Sequence, residues 1–172
     1  MTTHSGPDSP GCQALLVLLR TADTVWNASR LFFERWKISP SQFNVLNLLH
    51  LHPAGLSQTE LGRQLVMHRS NVTGLVDRLE ERRLLARREV ALDRRAYNVV
   101  LTREGSALVE SILPEYYAAA ERLWQVVPEK RLGTTAADLK AVAENALRIA
   151  GSAALKPGRK GKGRAANSRG RL

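Results

Sequence analysis

Between Gln13 and Trp36 apolar residues recur on a helical period but do not form a single stripe: Leu15, Leu18, Leu19, Ala22, Val25, Trp26, Leu31, Phe32 and Phe33, interrupted at Ser29. The pattern predicts a long helix that needs partners on more than one side. A second helix is marked from Pro40 to about Leu51. Ser39 can cap it, Pro40 takes its first position, Gln42 completes a capping box and Ile38 can staple against Phe43, while Pro53 and Gly55 end it. The same device recurs at Ser57, with Glu60 three residues on and Leu56 placed to meet Leu61, so a short helix is predicted from Gln58 to about Val66. After Met67-His68 the helical period restarts from Arg69 to Arg83, and Val72, Leu75, Val76 and Leu79 fall on one stripe.

The period then switches to alternation. Ala86 to Val90 and Ala96 to Leu101 read as two strands, clearest at Tyr97, Val99 and Leu101, joined by Leu92-Asp93-Arg94-Arg95. Thr102 opens a further helix to about Val127, kinked at Pro114, and Thr135 with Asp138 three residues on caps a last helix to Ala150. Six helices and a two- to three-stranded wing in this order describe a mainly α chain. Residues 38–101 are expected to form a winged helix-turn-helix, and residues 11–37 with 102–151 a helical dimerisation region. The terminal stripes exceed what one small core uses, and a large apolar interface between two copies is their natural use.

The stripe on the Arg69–Arg83 helix fixes its opposite face: Ser70, Asn71, Thr73, Gly74, Asp77 and Arg78. Near the helix start these side chains donate or accept hydrogen bonds, and Gly74 lets a neighbouring surface approach the backbone, which suits the major groove of duplex DNA. A solvated face is the plain alternative, and the ribbon decides between them. Two arginines at a hairpin tip have no core to support, and arginine gains from the negative potential of a narrow minor groove. Asp93, two residues before Arg95, can hold that guanidinium and pre-orient it.

Charge and composition narrow the picture. The formal net charge is +10, but Lys156 to Leu172 holds seven basic residues and no acid, so the body is only mildly basic. This Gly-rich tail, with residues 152–172 as a whole, is expected to stay unstructured, serving either non-specific phosphate attraction or solubility. Residues 1–10 are also expected to be loose. The longest apolar run, Ala14 to Leu19, is too short to span a bilayer, and no basic segment precedes it as in a signal peptide, so a cytoplasmic protein is expected. One cysteine, Cys12, makes no internal disulfide and no thiolate metal cluster. His50 and His52 diverge on a helix end and lack further ligands, the Gly158–Gly163 segment lacks the Ser or Thr of a phosphate loop, and no nucleophile elbow or carboxylate pair is present. No metal, cofactor or enzymatic activity is expected.

Thr73, Leu75-Val76-Asp77-Arg78-Leu79-Glu80, Leu84, Arg87, Asp93-Arg94-Arg95-Ala96 and Leu101-Thr102-Arg103-Glu104-Gly105 together resemble the pattern of MarR-type bacterial transcriptional regulators. The resemblance covers about Gln13 to Ala150 and is strongest from Leu56 to Gly105. It implies a homodimer whose first and last two helices interlock and whose two winged modules enter successive major grooves of a pseudo-palindrome. On this reading His68, Arg69, Ser70, Asn71, Thr73, Gly74, Arg78, Asp93, Arg94 and Arg95 form the DNA site. The activity is that of a repressor released by a small effector, phenolic or otherwise aromatic, with Trp26, Phe43 and His50 as candidate lining residues. Two positions depart from the family pattern: Arg83 stands where Gly commonly ends the reading helix, and His68 where Ser or a similar cap is usual. The first suggests a different join between helix and wing, the second either a phosphate contact or a solvent-facing ring. Other readings are a redox sensor through Cys12, a sequence-indifferent architectural DNA binder driven by the tail, and a protein-interaction module that no longer reads DNA.

Overall fold

The computed structural model describes residues 6–90 and 93–154, apart from the side chains of residues 90, 93–96 and 152–154. The basic tail from residue 155 onward lies outside the described residues. The chain divides into two compact units, Met1–Tyr117 and Ala118–Leu172. Helix α1 spans Pro10–Phe33 and passes into a 3₁₀ turn at Glu34–Trp36; α2 spans Pro40–His50, α3 Gln58–Gln64 and α4 Arg69–Glu81. Strands β1 (Leu85–Val90) and β2 (Asp93–Leu101) follow, then α5 (Arg103–Trp124) and α6 (Glu129–Ala154). No described helix is long and apolar enough to cross a membrane.

Local chemistry sets most of these boundaries. Both expected capping boxes form: Ser39 accepts from the Gln42 amide while Gln42 accepts from the Ser39 amide, and Ser57 and Glu60 do the same. Helix α1 starts at Pro10 instead of Gln13, because Ser9 caps it through the Cys12 amide. Ser9-Pro10 is the same start signal as Ser39-Pro40, so these two residues are not loose. Helix α6 begins at Glu129 rather than after Thr135. Pro128 supplies the turn through its carbonyl, 2.8 Å from the Arg131 amide, and the helix runs on through Gly133-Thr134-Thr135.

In the first unit one core gathers Phe33, Phe43, Leu46 and Leu49 with Leu61, the stripe Val72, Leu75, Val76 and Leu79 of α4, Leu85 and Val99 of the ribbon, and Val109 and Ile112 of α5. The strands pair antiparallel from Leu85 opposite Leu101 to Glu89 opposite Tyr97. Gly55, at φ +83, brings Leu56 alongside Val99, adding an isolated antiparallel bridge to the free side of β2. A side chain at Gly55 would lie 2.6 Å from the Val99 carbonyl oxygen. The terminal helices differ: among the described side chains α1 buries only Phe33 and α6 buries none, leaving Leu15, Val17, Leu19, Val142 and Leu147 exposed.

Candidate nucleic-acid interface

Because Val72, Leu75, Val76 and Leu79 are sealed against the core, the rest of α4 is presented outward. His68, Arg69, Ser70, Asn71, Asp77 and Arg78 are exposed, and Thr73 and Gly74 are half-buried. The structure therefore brings the seven predicted positions of helix α4 and its cap onto one surface. Arg63 of α3 and Arg88 of β1 are further exposed cations on the elements that flank α4 in the chain, and neither was singled out from the sequence.

His68 is the cap of α4 after all. Its Nδ1 accepts from the Ser70 amide at 3.4 Å and lies 2.9 Å from Ser70 Oγ, so the imidazole does the work expected of Ser. Thr73 spends its hydroxyl proton inside the protein, with Oγ1 2.9 Å from Gln58 Oε1 and 3.1 Å from the Arg69 carbonyl. Its methyl and an oxygen lone pair are left for a ligand. Gln58, at the first position of α3, thus ties the two helices of the pair together, while its amide nitrogen is buried without a partner. Nothing in the local sequence marks it, because the contact is made only once α3 and α4 cross. A side chain at Gly74 would meet only the guanidinium of Arg78, at 3.7 Å, so this stretch of the face is open.

Arg83 corrects the expectation of an altered join. It sits at φ 59, its amide donates to the Glu80 carbonyl at 2.8 Å, and the Leu84 amide donates to the Leu79 carbonyl at 2.9 Å. That is the Schellman ending a glycine would give, held with an arginine at a conformational cost of about 1 kcal/mol. Thr102 compensates, because its hydroxyl donates to the Arg83 carbonyl at 2.6 Å and accepts from the Gly105 amide at 3.0 Å. Gly105 is required by contact, since a Cβ there would lie 2.0 Å from the Leu84 carbonyl oxygen. The Thr102-to-Gly105 motif is a fastening of α5 onto the end of α4.

The wing is built differently from the expected turn. Asp93, Arg94 and Arg95 belong to the backbone of β2, and the pairing jumps from Glu89–Tyr97 to Val90–Asp93. The backbone of Arg94, Arg95 and Ala96 therefore bulges out of register near the tip. The expected contact between Asp93 and Arg95 involves side chains outside the described ones, as does residue Leu92.

Arg87 was noted only as part of a pattern, yet it joins wing to helix. Its guanidinium pairs with Asp77 at 2.5 Å and with Glu80, its amide donates to Glu80 at 3.3 Å, and it lies 5.6 Å from the Tyr97 ring centre. The hydrogen bond it donates to Asp77 foremost, then the charge of Glu80, pushes its pKa up from an already high value, so it stays charged. Glu60 is held below the usual carboxylate range by its hydrogen bonds to Ser57.

The candidate effector residues are not brought around a common cavity. Phe43 is sealed, its ring centre 4.5 Å from Phe33 and 4.9 Å from Tyr116, whereas Trp26 is exposed and His50 half-buried. A groove of 620 Å³ instead lies along the end of α1 and the start of α2, lined by residues including Arg30, Leu31, Glu34 and Lys37. Cys12 occupies the first turn of α1, partly buried. His52 Nδ1 is engaged with the Leu48 carbonyl at 2.8 Å, and among the described residues no group of three or more His, Cys, Asp or Glu side chains could hold a metal.

Residues 36–96 match the profile of the MarR family. The chain is 27% identical over 131 residues to the HTH-type transcriptional regulator MhqR of Bacillus subtilis, covering 76% of this chain and 90% of that one. It is 31% identical over 99 residues to the transcriptional repressor MdtR of the same organism, covering 58% and 63%. Among solved structures, AbsC of Streptomyces coelicolor superimposes with a TM-score of 0.74 at 21% identity over 85% of this chain and 99% of that one. CouR of Rhodococcus jostii, bound to p-coumaroyl-CoA, gives 0.69 at 25% identity over 82% and 96%. MepR of S. aureus in complex with DNA gives 0.70 at 22% identity over 76% and 96%.

Proposed function

We propose, on the match of residues 36–96 to the MarR family and the likeness to HTH-type transcriptional regulators, that the chain is a DNA-binding transcriptional regulator of that family and a homodimeric repressor of double-stranded operator sites. The observation that carries the proposal is the outward face of α4 held beside a fastened wing. Asn71, Arg78 and the acceptor and methyl of Thr73 read base edges or adjacent phosphates. Gly74 admits the groove wall, and Arg69, Ser70 and His68 lie at the helix end nearest the backbone. Arg95 enters the minor groove, Asp93 orients it and Arg94 meets phosphate.

The second copy is supported by what one copy leaves bare. Leu15, Leu19, Leu139, Val142 and Leu147 remain exposed on helices α1 and α6, at about 25 cal/mol per Å² of apolar surface left in water. A dimer places two reading heads about one helical turn of DNA apart, and an effector that locks a different spacing releases them. CouR holds an aromatic acyl thioester, and MepR is seen on DNA, which supports an aromatic effector and duplex DNA as partners here.

The test is selection of bound fragments from genomic DNA, followed by affinity for the selected site and for random duplex at two salt concentrations. Asn71→Ala should erode discrimination by about 1–3 kcal/mol while sparing non-specific binding. Arg95→Ala should weaken specific binding by a similar amount, and Asp93→Ala should weaken it too despite removing a negative charge. Equal losses on both DNAs for Asn71→Ala, or tighter binding by Asp93→Ala, would remove those roles.

A further inference from the structure

Asp77 is out of place on a DNA-facing surface. It lies on the exposed face of α4 between Gly74 and Arg78, where a bare carboxylate would repel phosphate. It is not bare. One guanidinium, Arg87 of β1, closes on Asp77 from one side and on Glu80, three residues further along the same helix, from the other. The Arg87 amide adds a third bond to Glu80, and the Tyr97 ring of β2 flanks the group. Arg87 is largely shielded, whereas the carboxylates remain accessible, at 49% and 36% side-chain exposure.

This arrangement does two things that a hydrophobic contact would not. It offsets one of two negative charges where the polyanion arrives. It also sets the angle of β1, and with it the whole two-stranded ribbon, against the reading helix, because a planar fork accepts its two partners in one geometry only. The core contacts of Leu85 and Val99 hold the base of the ribbon, but nothing described beyond Arg87 ties the outer half to α4.

We propose that Arg87 is a positioning residue for DNA reading: by clamping the wing to α4 through Asp77 and Glu80, it makes helix and wing meet major and minor groove as one preset unit. The inference rests on the DNA-reading function proposed above. Arg87 itself touches no base in this scheme; it acts through the placement of the wing arginines.

The experiment uses the full-length chain on its selected operator. Wild type, Arg87→Lys, Arg87→Met and the triple variant Arg87→Met/Asp77→Asn/Glu80→Gln are compared by dissociation constant, thermal midpoint and hydroxyl-radical footprint. Arg87→Met should weaken operator binding about ten- to a hundredfold, the range for losing charge-assisted contacts, with a small change in thermal midpoint. Its footprint should lose the minor-groove flanks and keep the major-groove centre. Arg87→Lys keeps the charge without the fork and should recover little. The triple variant removes the uncovered carboxylates, so it should regain affinity for random DNA but not the flanks. Affinity and footprint that follow thermal stability alone, or full recovery by Arg87→Lys or by the triple variant, overturn the clamp while leaving DNA reading intact. A wild type that protects no discrete site overturns both.

Discussion

The ribbon-and-helix region from α2 to the start of α5 and the terminal helices α1 and α6 use apolar residues in opposite ways. In the first, Phe43, Leu46, Leu61, Val72, Leu79, Leu85 and Val99 are essentially sealed within one chain. In the second, a 24-residue and a 26-residue helix together bury a single residue, Phe33. The first region completes its own core, and the second leaves its apolar stripe exposed. In the proposed function, reading DNA and fixing the distance between readers would fall to different parts of the chain.

The severest challenge to that contrast is charge on the bare helix. Leu139→Asp with Val142→Asp should abolish dimerisation and operator binding together, read by sedimentation and gel shift, because it would bury charge at the seam. Loss of neither would mean that the exposed stripe of α6 is simply solvated. The converse test attacks the self-sufficient region. Gly105→Ala forces a methyl to within 2.0 Å of the Leu84 carbonyl oxygen and should cost about 3 kcal/mol or more in urea unfolding, with the α4 ending opened. An unchanged midpoint would show that α5 does not rest on that carbonyl.

A smaller effect sharpens the same picture. Glu60 is held below its ordinary 4.5 by its bonds to Ser57, so its folded form prefers the carboxylate. Its contribution is complete above the unfolded value and is lost as pH falls through the lowered folded value. Glu60→Gln should therefore differ from wild type at neutral pH, and the difference should shrink as the solution is acidified below the ordinary carboxylate range. A difference that persists at the acid end would assign the effect to the amide rather than the charge.

Much of this was legible because it is local. Ser39 with Gln42, Ser57 with Glu60 and the stripe from Val72 to Leu79 each act within one helix, and the chain displays them in order. The Thr102-to-Gly105 motif was visible as a pattern, but its reason, a carbonyl at Leu84, is a tertiary contact. The start of α6 was misplaced because Thr134-Thr135 after Gly133 imitates a cap, whereas exposed threonines cost a long helix little and Pro128 had already started it. The clamp of Arg87 on Asp77 and Glu80 was hidden, since it joins a strand to a helix ten and seven residues back. The wing bulge was hidden too, because register depends on the partner strand.

Gly74 has a consequence for engineering. A glycine within the 13-residue α4 costs about 0.5–1 kcal/mol relative to alanine, yet the space around it would accept a methyl without a clash. Stability alone would favour alanine there, and the proposed DNA-reading role supplies a reason for glycine: closeness to the groove. A side chain can be added there in ordinary van der Waals contact with Arg78 alone. A small series at position 74, from Ala to Ser to Asn, would serve as a graded dial on operator preference.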